Sequence, residues 1–374
     1  MKIIADHKIP FLKGALEPFA DIVYVPGGAI DPKMLSDADA LLIRTRTLCN
    51  QALLKDAKLK YIATATIGYD HIDTDFCLEK KIKWSNAPGC NSGSVMQYMA
   101  AALVRLSMKF NFKFSEKTLG IIGYGHVGSK VAQLAKTLGF RVLINDPPLH
   151  RAGKLKNHTP LEQLKAQSDI LTLHVPLNKS GRDKTLYMVD DSFLKSLKPS
   201  GIIINTSRGN IIVNQHLKEA LQNKQIGGAV LDVWENEPQI DTELLEIVDF
   251  ATPHIAGYSV DGKANGTAMS VQALSDFFGF GLKNWFPNPI PKPARSQYII
   301  DGTAQTNQEI LSEIILSTYD ILDDDKRLRG SVHTFENQRG EYPLRFEFTN
   351  YRIQLSADQK KIEKQIRQLG FKTL

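Results

Sequence analysis

Three side chains of complementary type stand in the second half of the sequence, each after a short apolar run. Arg208 follows residues 202–205, Glu237 follows 227–232 and His254 follows 249–252. Moving a hydride between an alcohol and a ketone requires these three kinds of group. A base must take the hydroxyl proton and return it, which suits an imidazole that titrates near neutrality. A fixed cation must hold a substrate carboxylate and polarise the developing carbonyl, and a guanidinium does so with a planar fork that never deprotonates. A carboxylate beside the imidazole favours the imidazolium form. Singly, each has a plainer reading: His254 as a structural loop histidine, Arg208 as a helix cap, Glu237 as the first residue of a helix. Their order behind a second motif turns them into one expectation.

That motif lies at residues 118–146, TLGIIGYGHVGSKVAQLAKTLGFRVLIND. Residues 119–122 are β-branched or apolar, as a buried parallel strand requires. Gly123, Gly125 and Gly128 follow as G-x-G-x-x-G, and Val131, Leu134, Ala135 and Leu138 then keep helical spacing. Gly139 stops the helix, and residues 140–145 form a second strand that ends at Asp146. The first glycine permits a tight turn, the second lets a pyrophosphate approach the backbone, and the third lets the helix pack closely on the strand. The helix N-terminus offers N–H groups and positive dipole to the phosphates. A carboxylate at Asp146 can accept both ribose hydroxyls and repels a 2′-phosphate, so the expected cofactor is NAD, not NADP.

The elements that must position these residues alternate between strand and helix. Residues 2–5, 21–25, 40–43, 59–63 and 82–85 read as strands, with helical pieces such as 71–81 between them, a parallel α/β pattern. Ligands of such sheets sit beyond the carboxyl ends of the strands. There the chain places Arg44-Thr45-Arg46-Thr47, then residues 64–70, then Asn86-Ala87-Pro88-Gly89-Cys90-Asn91. These loops are candidates for one wall of a substrate site, with solvated surface charge as the alternative for Arg44 and Arg46. A long helix is predicted over 92–110. Pro147 and Pro148 are read as ruling out a continued helix or strand. Further strands are expected at 169–174, 202–205, 227–232 and 249–252, and helices at 160–167, 213–223 and 259–283. Pro287, Pro289, Pro291 and Pro293 make a stiff linker. Beyond it come a helix at 306–320, an acidic-basic loop at 323–327 and a charged helix at 357–369. This segment shows no catalytic constellation, so its expected role is assembly.

Composition bounds the rest. The chain has 374 residues, 43% hydrophobic and 23% charged, enough for two or three globular domains. No apolar run is long enough to span a membrane, and the start of the chain reads as a strand, not as a signal peptide. The net charge of +6 comes without a basic stripe or a nucleic-acid-binding signature, so no nucleic-acid partner is expected. Cys49, Cys77 and Cys90 lack metal-ligand spacing and fit buried thiols in a reducing cytoplasm, with no metal site expected.

Five segments carry a resemblance to a known family: GIIGYGHVGSKVA, HVPL at 174–177, INTSRGNIIV at 204–213, AVLDVWENEP at 229–238 and TPHIAGYS at 252–259. Over residues 1 to about 285 the chain resembles the D-isomer-specific 2-hydroxyacid dehydrogenases. The resemblance implies an α/β protein with a Rossmann-type NAD-binding domain over 93–258 and a flavodoxin-like substrate-binding domain from 1–92 and 259–285. A small C-terminal α/β dimerisation domain would occupy 291–374 and make the protein a homodimer. The family's catalytic set falls on Arg208, Glu237 and His254. NAD contacts fall on Gly123, Gly125, His126, Val127, Gly128, Asp146, Val175, Thr206, Ser207, Arg208, Asp232 and Gly257, and substrate contacts on Thr45, Thr66 and Tyr258. HIAGYSVDGKANGT, NAPGCN and the Pro-rich linker narrow the resemblance to a subgroup of vitamin B6 biosynthesis, whose substrate is a small phosphorylated D-2-hydroxy acid. Arg46 replaces the small apolar residue usual in that subgroup, and Gln97 replaces a common Glu. Arg44 or Arg46 would suit the phosphate. The alternatives are another small D-2-hydroxy acid, such as 3-phosphoglycerate, or a non-catalytic NAD-sensing scaffold on the same fold.

Overall fold

The computed structural model describes residues 1–356 and 360–374, with the side chains of 360 and 361 left out. The chain divides into two compact units, one of residues 1–91 with 259–291, the other of 92–258 with 292–374.

The first unit holds five parallel strands: β1 (Lys2–Asp6), β2 (Asp21–Val25), β3 (Ala40–Ile43), β4 (Tyr61–Thr64) and β5 (Lys83–Ser85). Their order is β2-β1-β3-β4-β5, the flavodoxin-like arrangement. Side chains alternate between two cores because successive residues of a strand point to opposite faces. Ile4, Leu41, Ile43 and Ile62 join Leu35, Leu54 and Phe76 on one side. Ile3, Ala5, Leu42 and Ala63 meet Val271 and Leu274 of the helix Val260–Phe278 on the other. Burial on both faces makes β1, β3 and β4 read as largely apolar runs. Cys49, Cys77 and Cys90 are buried free thiols, and burial pushes Cys49 up to about 12 and Cys77 up to about 11.

The second unit begins with the helix Ser92–Phe110, buried along most of its length. A six-stranded parallel sheet follows: β6 (Thr118–Ile122), β7 (Arg141–Asn145), β8 (Ile170–Leu173), β9 (Ile202–Asn205), β10 (Gly228–Leu231) and β11 (Phe250–Ala251). The order is β11-β10-β9-β8-β6-β7, so the chain reverses direction across the sheet beside β6. A doubly wound sheet binds its ligands at such a reversal. The C-terminal segment adds a small parallel sheet of β12 (Gln297–Ile300), β13 (Arg352–Leu355) and β14 (Lys372–Thr373), with helices Asn307–Thr318, Ile321–Gly330 and Lys360–Leu369 among its described residues. The first three residues of the helix expected at 357–369 lie outside the described residues.

Two local expectations are corrected. Pro147 and Pro148 do not end regular structure; they open the helix Pro147–Arg151, with Asp146 as its cap. Proline is tolerated in a first turn because the N–H it lacks would have no partner there. Residues 323–327 are not a loop but the middle of the helix Ile321–Gly330, where Asp324 and Asp325 are buried. Asp324 pairs with Arg327 and Asp325 with Arg329 on the same helix, while the Tyr342 hydroxyl and the Ala251 N–H reach them from far along the chain.

Candidate active site

His254, Glu237 and Arg208 leave the carboxyl ends of β11, β10 and β9, which are neighbours in one parallel sheet. All three therefore emerge on the same edge. His254 Nδ1 lies 2.7 Å from Glu237 Oε2, and the Trp234 N–H donates to the other carboxylate oxygen at 2.9 Å. Burial alone would raise the pKa of Glu237, but the His254 charge and hydrogen bond, the Trp234 N–H and Arg339 outweigh it and hold the carboxyl below its ordinary value. An ionised Glu237 accepts from Nδ1–H, which assigns the proton of a neutral imidazole to Nδ1 and leaves Nε2 as the acceptor. The imidazole is about one-third exposed, open enough to meet a substrate.

Arg208 sits in a turn where Asn205 Nδ2 donates to the Arg208 carbonyl at 2.9 Å and Nη1 donates to the Ser207 carbonyl at 2.7 Å. The next residue, Gly209, explains how this loop lies against that of Glu237. A Cβ there would stand 1.9 Å from the Trp234 carbonyl oxygen, so only glycine permits the approach.

His254 itself adopts φ +57°, the left-handed region that β-carbon-bearing residues rarely enter. Its surroundings fix that conformation. The His254 N–H donates to the Asp232 carbonyl at 2.7 Å. The Asp232 carboxylate accepts from the Thr252 hydroxyl and the Ile255 N–H on Oδ1, both at 2.7 Å, and from the Ala256 N–H on Oδ2 at 3.0 Å. Tyr98 in turn donates to Thr252, whose proton is already committed to Asp232. Asp232 is 1% exposed, and burial raises its pKa against the His254 charge and these hydrogen bonds. The carboxylate of Asp232, a residue for which the resemblance implies a cofactor contact, is a staple for the histidine loop. No sequence spacing announces that, because the partners lie some 20 residues away.

The nucleotide side of the same edge is built from β6, β7 and β8. Gly123 has φ +89°, and a Cβ on it would meet the His174 carbonyl at 2.3 Å and Val175 at 2.9 Å. A Cβ on Gly128 would stand 1.9 Å from the Gly123 carbonyl, whereas nothing lies within 4 Å of one on Gly125. Two glycines thus serve protein packing and the middle one faces open space, as a bound pyrophosphate needs. His126 and Val127 start the helix His126–Leu138, whose first N–H groups have no intrahelical partner. Asp146 accepts from the Tyr124 N–H at 2.7 Å and the Leu149 N–H at 2.9 Å, one on each oxygen. Each oxygen keeps a second lone pair for a ribose hydroxyl. Thr206 Oγ1 lies 3.4 Å from His174 Nδ1, and Ser207 bonds Asn205 through both its N–H and its hydroxyl. Burial pushes His174 down to about 3, so its ring stays neutral beside the nucleotide loops. Gly257 and Tyr258 close the histidine loop, and Tyr258 packs edge-on against Tyr342 with ring centres 5.9 Å apart. These residues fit NAD.

In the first unit Arg44, Thr45 and Arg46 leave β3 beside the reversal of that sheet, and Thr66 follows β4. Thr45 and Arg46 are exposed. Arg44 Nη1 donates to the Lys8 carbonyl at 3.2 Å, and the Thr66 hydroxyl donates to the Gly68 carbonyl at 2.9 Å. Gln97 has a reason for its amide: Nε2 donates to the Phe346 carbonyl at 2.8 Å, which a glutamate could not do.

Residues 97–256 match the family model "D-isomer specific 2-hydroxyacid dehydrogenase, NAD binding domain", and residues 290–370 match "Domain of unknown function (DUF3410)". Among curated proteins, erythronate-4-phosphate dehydrogenase of Bacteroides fragilis is 47% identical over 94% of this chain and 99% of its own. The enzyme of that name from Proteus mirabilis is 38% identical over 99% of both chains. Among solved structures, D-lactate dehydrogenase of Aquifex aeolicus, complexed with NAD and lactic acid, aligns with TM-score 0.64 and 26% identity over 76% of this chain and 98% of that one. The NAD-dependent formate dehydrogenase of Staphylococcus aureus shares the fold, with TM-score 0.64 at 22% identity over 75% of this chain and 96% of its own. With the nucleotide cradle and the histidine–glutamate pair in place, these matches establish that the chain belongs to the erythronate-4-phosphate dehydrogenase family of NAD-dependent D-2-hydroxyacid dehydrogenases.

Proposed function

We propose that the chain oxidises 4-phospho-D-erythronate to (R)-3-hydroxy-2-oxo-4-phosphooxybutanoate, a step of pyridoxal 5′-phosphate synthesis. The observation that carries the reading is the 2.7 Å contact of His254 Nδ1 with Glu237, on the sheet edge that also bears the glycine cradle. Bound NAD supplies the acceptor for the C2 hydride. Nε2 of neutral His254 takes the C2 hydroxyl proton, and Glu237 stabilises the imidazolium that results. Arg208 holds the substrate carboxylate and the C2 oxygen. Gly123, Gly125 and Gly128 admit the pyrophosphate, Asp146 takes the ribose hydroxyls, and Val175, Thr206, Ser207 and Gly257 line the rest of the nucleotide site. Thr45, Thr66 and Tyr258 contact the substrate, and Arg44 or Arg46 draws in its phosphate.

Replacing His254 by alanine should lower turnover by about three orders of magnitude while NADH still binds. Near-normal turnover in that variant would remove the base assignment. A panel of D-2-hydroxy acids, each with NAD and NADP, tests the substrate. Preference for 3-phosphoglycerate or for an unphosphorylated acid would replace 4-phospho-D-erythronate, and no hydride transfer with any acid would favour the sensing scaffold. The domain boundaries belong to the same reading: substrate binding from 1–92 and 259–285, NAD binding from 93–258, and dimerisation through 291–374 in a cytoplasmic enzyme. Sedimentation equilibrium reads the oligomeric state, and a monomer at micromolar concentration would remove the dimer.

A further inference from the structure

The two peptide groups that follow His254 are held from both directions. The N–H groups of Ile255 and Ala256 go to Asp232, as described above. Their carbonyl oxygens go to a single guanidinium: Arg345 Nη2 donates to Ile255 at 3.2 Å and to Ala256 at 2.6 Å. The carboxyl group directly follows β10 and the guanidinium comes from the C-terminal segment, 90 positions beyond Ile255. Sequence patterns gave that segment no part in chemistry.

Arg345 is itself held in place. It is 5% exposed, and its guanidinium lies 4.5 Å from the ring centre of Tyr319 and 5.7 Å from that of Tyr342. Both phenol hydroxyls donate to Asp324 Oδ2, at 2.8 and 2.7 Å, which fixes the two rings. The next two residues are tied to the helix Ser92–Phe110, where Gln97 donates to the Phe346 carbonyl and Ser94 donates to Glu347 at 2.9 Å. Nε and Nη1 of Arg345 have no hydrogen-bond partner among the described residues, so the two loop carbonyls are the acceptors its buried fork has found. Taking a guanidinium out of water costs several kcal/mol, and an alkyl side chain would fill the space between two tyrosines at lower cost. The charge is therefore placed where it meets the carbonyls. Those carbonyls belong to the residues next to a histidine in the left-handed region, a conformation that persists only when its surroundings over-determine it.

We propose that Arg345 is a positioning residue for the oxidation. With Asp232 it clamps the peptides of Ile255 and Ala256 and so fixes the direction of the His254 imidazole toward the substrate hydroxyl. Residues 292–374 accordingly complete the active site, in addition to any part in assembly. The proposal rests on His254 being the base.

The test uses the full-length variants Arg345→Ala and Arg345→Lys, with turnover counted per NADH-binding site from a fluorescence titration. Counting per site removes any fraction that has failed to fold. A misdirected base slows the proton transfer more than it weakens substrate binding, so kcat per site should fall by about 30-fold or more while KM for 4-phospho-D-erythronate changes less than about threefold. Methylguanidinium added to Arg345→Ala should recover turnover by about threefold or more, since it can refill the space between the tyrosines. Arg345→Lys should stay impaired, because an ammonium lacks the planar fork. Should the alanine variant fail to fold, the lysine variant is read by the same per-site criterion. Turnover per site within about threefold of wild type would overturn the proposal, and so would a loss of activity matched by loss of NADH sites. His254→Gln is measured alongside. Its survival as an active enzyme would remove the base assignment, whereas an inactive His254→Gln beside normal Arg345 variants would remove only the clamp.

Discussion

At the scale of single residues, Glu237 carries two jobs that one substitution separates. One oxygen accepts from the Trp234 N–H and the other faces His254 Nδ1. Glutamine keeps the shape and can still accept from Trp234, but its amide would present N–H to the imidazole. The ring would then place its proton on Nε2, the atom that must be an acceptor. Glu237→Gln should therefore cut kcat by about 100-fold with KM for NAD unchanged, and an initial-rate study checks both. The pH dependence follows from the lowered pKa of Glu237. Between that folded value and the ordinary one, the unfolded chain binds more protons at this site, so stability rises with pH across the window. The stabilisation is complete above the ordinary carboxylate range and is lost as pH falls through the lowered value. Urea midpoints taken from pH 3 to 6, roughly spanning that range, should rise less steeply in the glutamine variant than in wild type.

At the scale of elements, the glycine turn gives a paired prediction. Nothing within 4 Å would obstruct a side chain at Gly125, whereas one at Gly128 meets the Gly123 carbonyl at 1.9 Å. Gly125→Val should fold with a near-normal melting temperature and lose NADH affinity by about 100-fold. Gly128→Ala should instead lose stability by about 1–3 kcal/mol, because the overlap is with backbone that cannot swing away. Calorimetry and NADH titration separate the two, and equal effects would mean that the middle glycine does not face the cofactor. Elements of this kind were legible in the sequence because the signal is local. A buried parallel strand is a short apolar run, and a glycine motif between strand and helix has one geometry. The runs at 21–25, 40–43 and 202–205 and the helix at 92–110 have the bounds their patterns indicate. What the sequence hid depends on distant partners. Residues 323–327 read as an acidic-basic loop until the Tyr342 hydroxyl and the Ala251 N–H, 18 and 74 positions away, are seen to bind Asp324 and Asp325. The hold of Asp232 on the histidine loop shows only when the turn after β11 brings two peptide N–H groups back to it. Arg345 gives no local signal at all.

At the scale of the molecule, the C-terminal segment belongs to the unit that carries the NAD sheet, and β11 shows how it is joined. β11 is the outermost strand of that sheet and runs directly into the His254 loop, so one of its sides lacks a strand partner. The helix Ile321–Gly330 covers that side. Asp325 Oδ1 accepts the Ala251 N–H at 2.7 Å, and Arg329 Nε meets both Asp325 oxygens at 3.0 and 3.1 Å. Arg329 also donates to the carbonyls of Leu245 and Val248, the latter at 2.9 Å, at the end of the helix that leads into β11. One ion pair thus closes an open sheet edge and anchors the segment that delivers His254. Asp325 is 6% exposed, so alanine in its place would take the carboxylate from the partly buried Arg329 and leave the Ala251 N–H without its acceptor. Asp325→Ala should lower the free energy of unfolding by about 3 kcal/mol, read as a shift in urea midpoint. It should also lower kcat, because the strand beneath the base is no longer held. A variant that lost activity at unchanged stability would show that the edge does not depend on this pair.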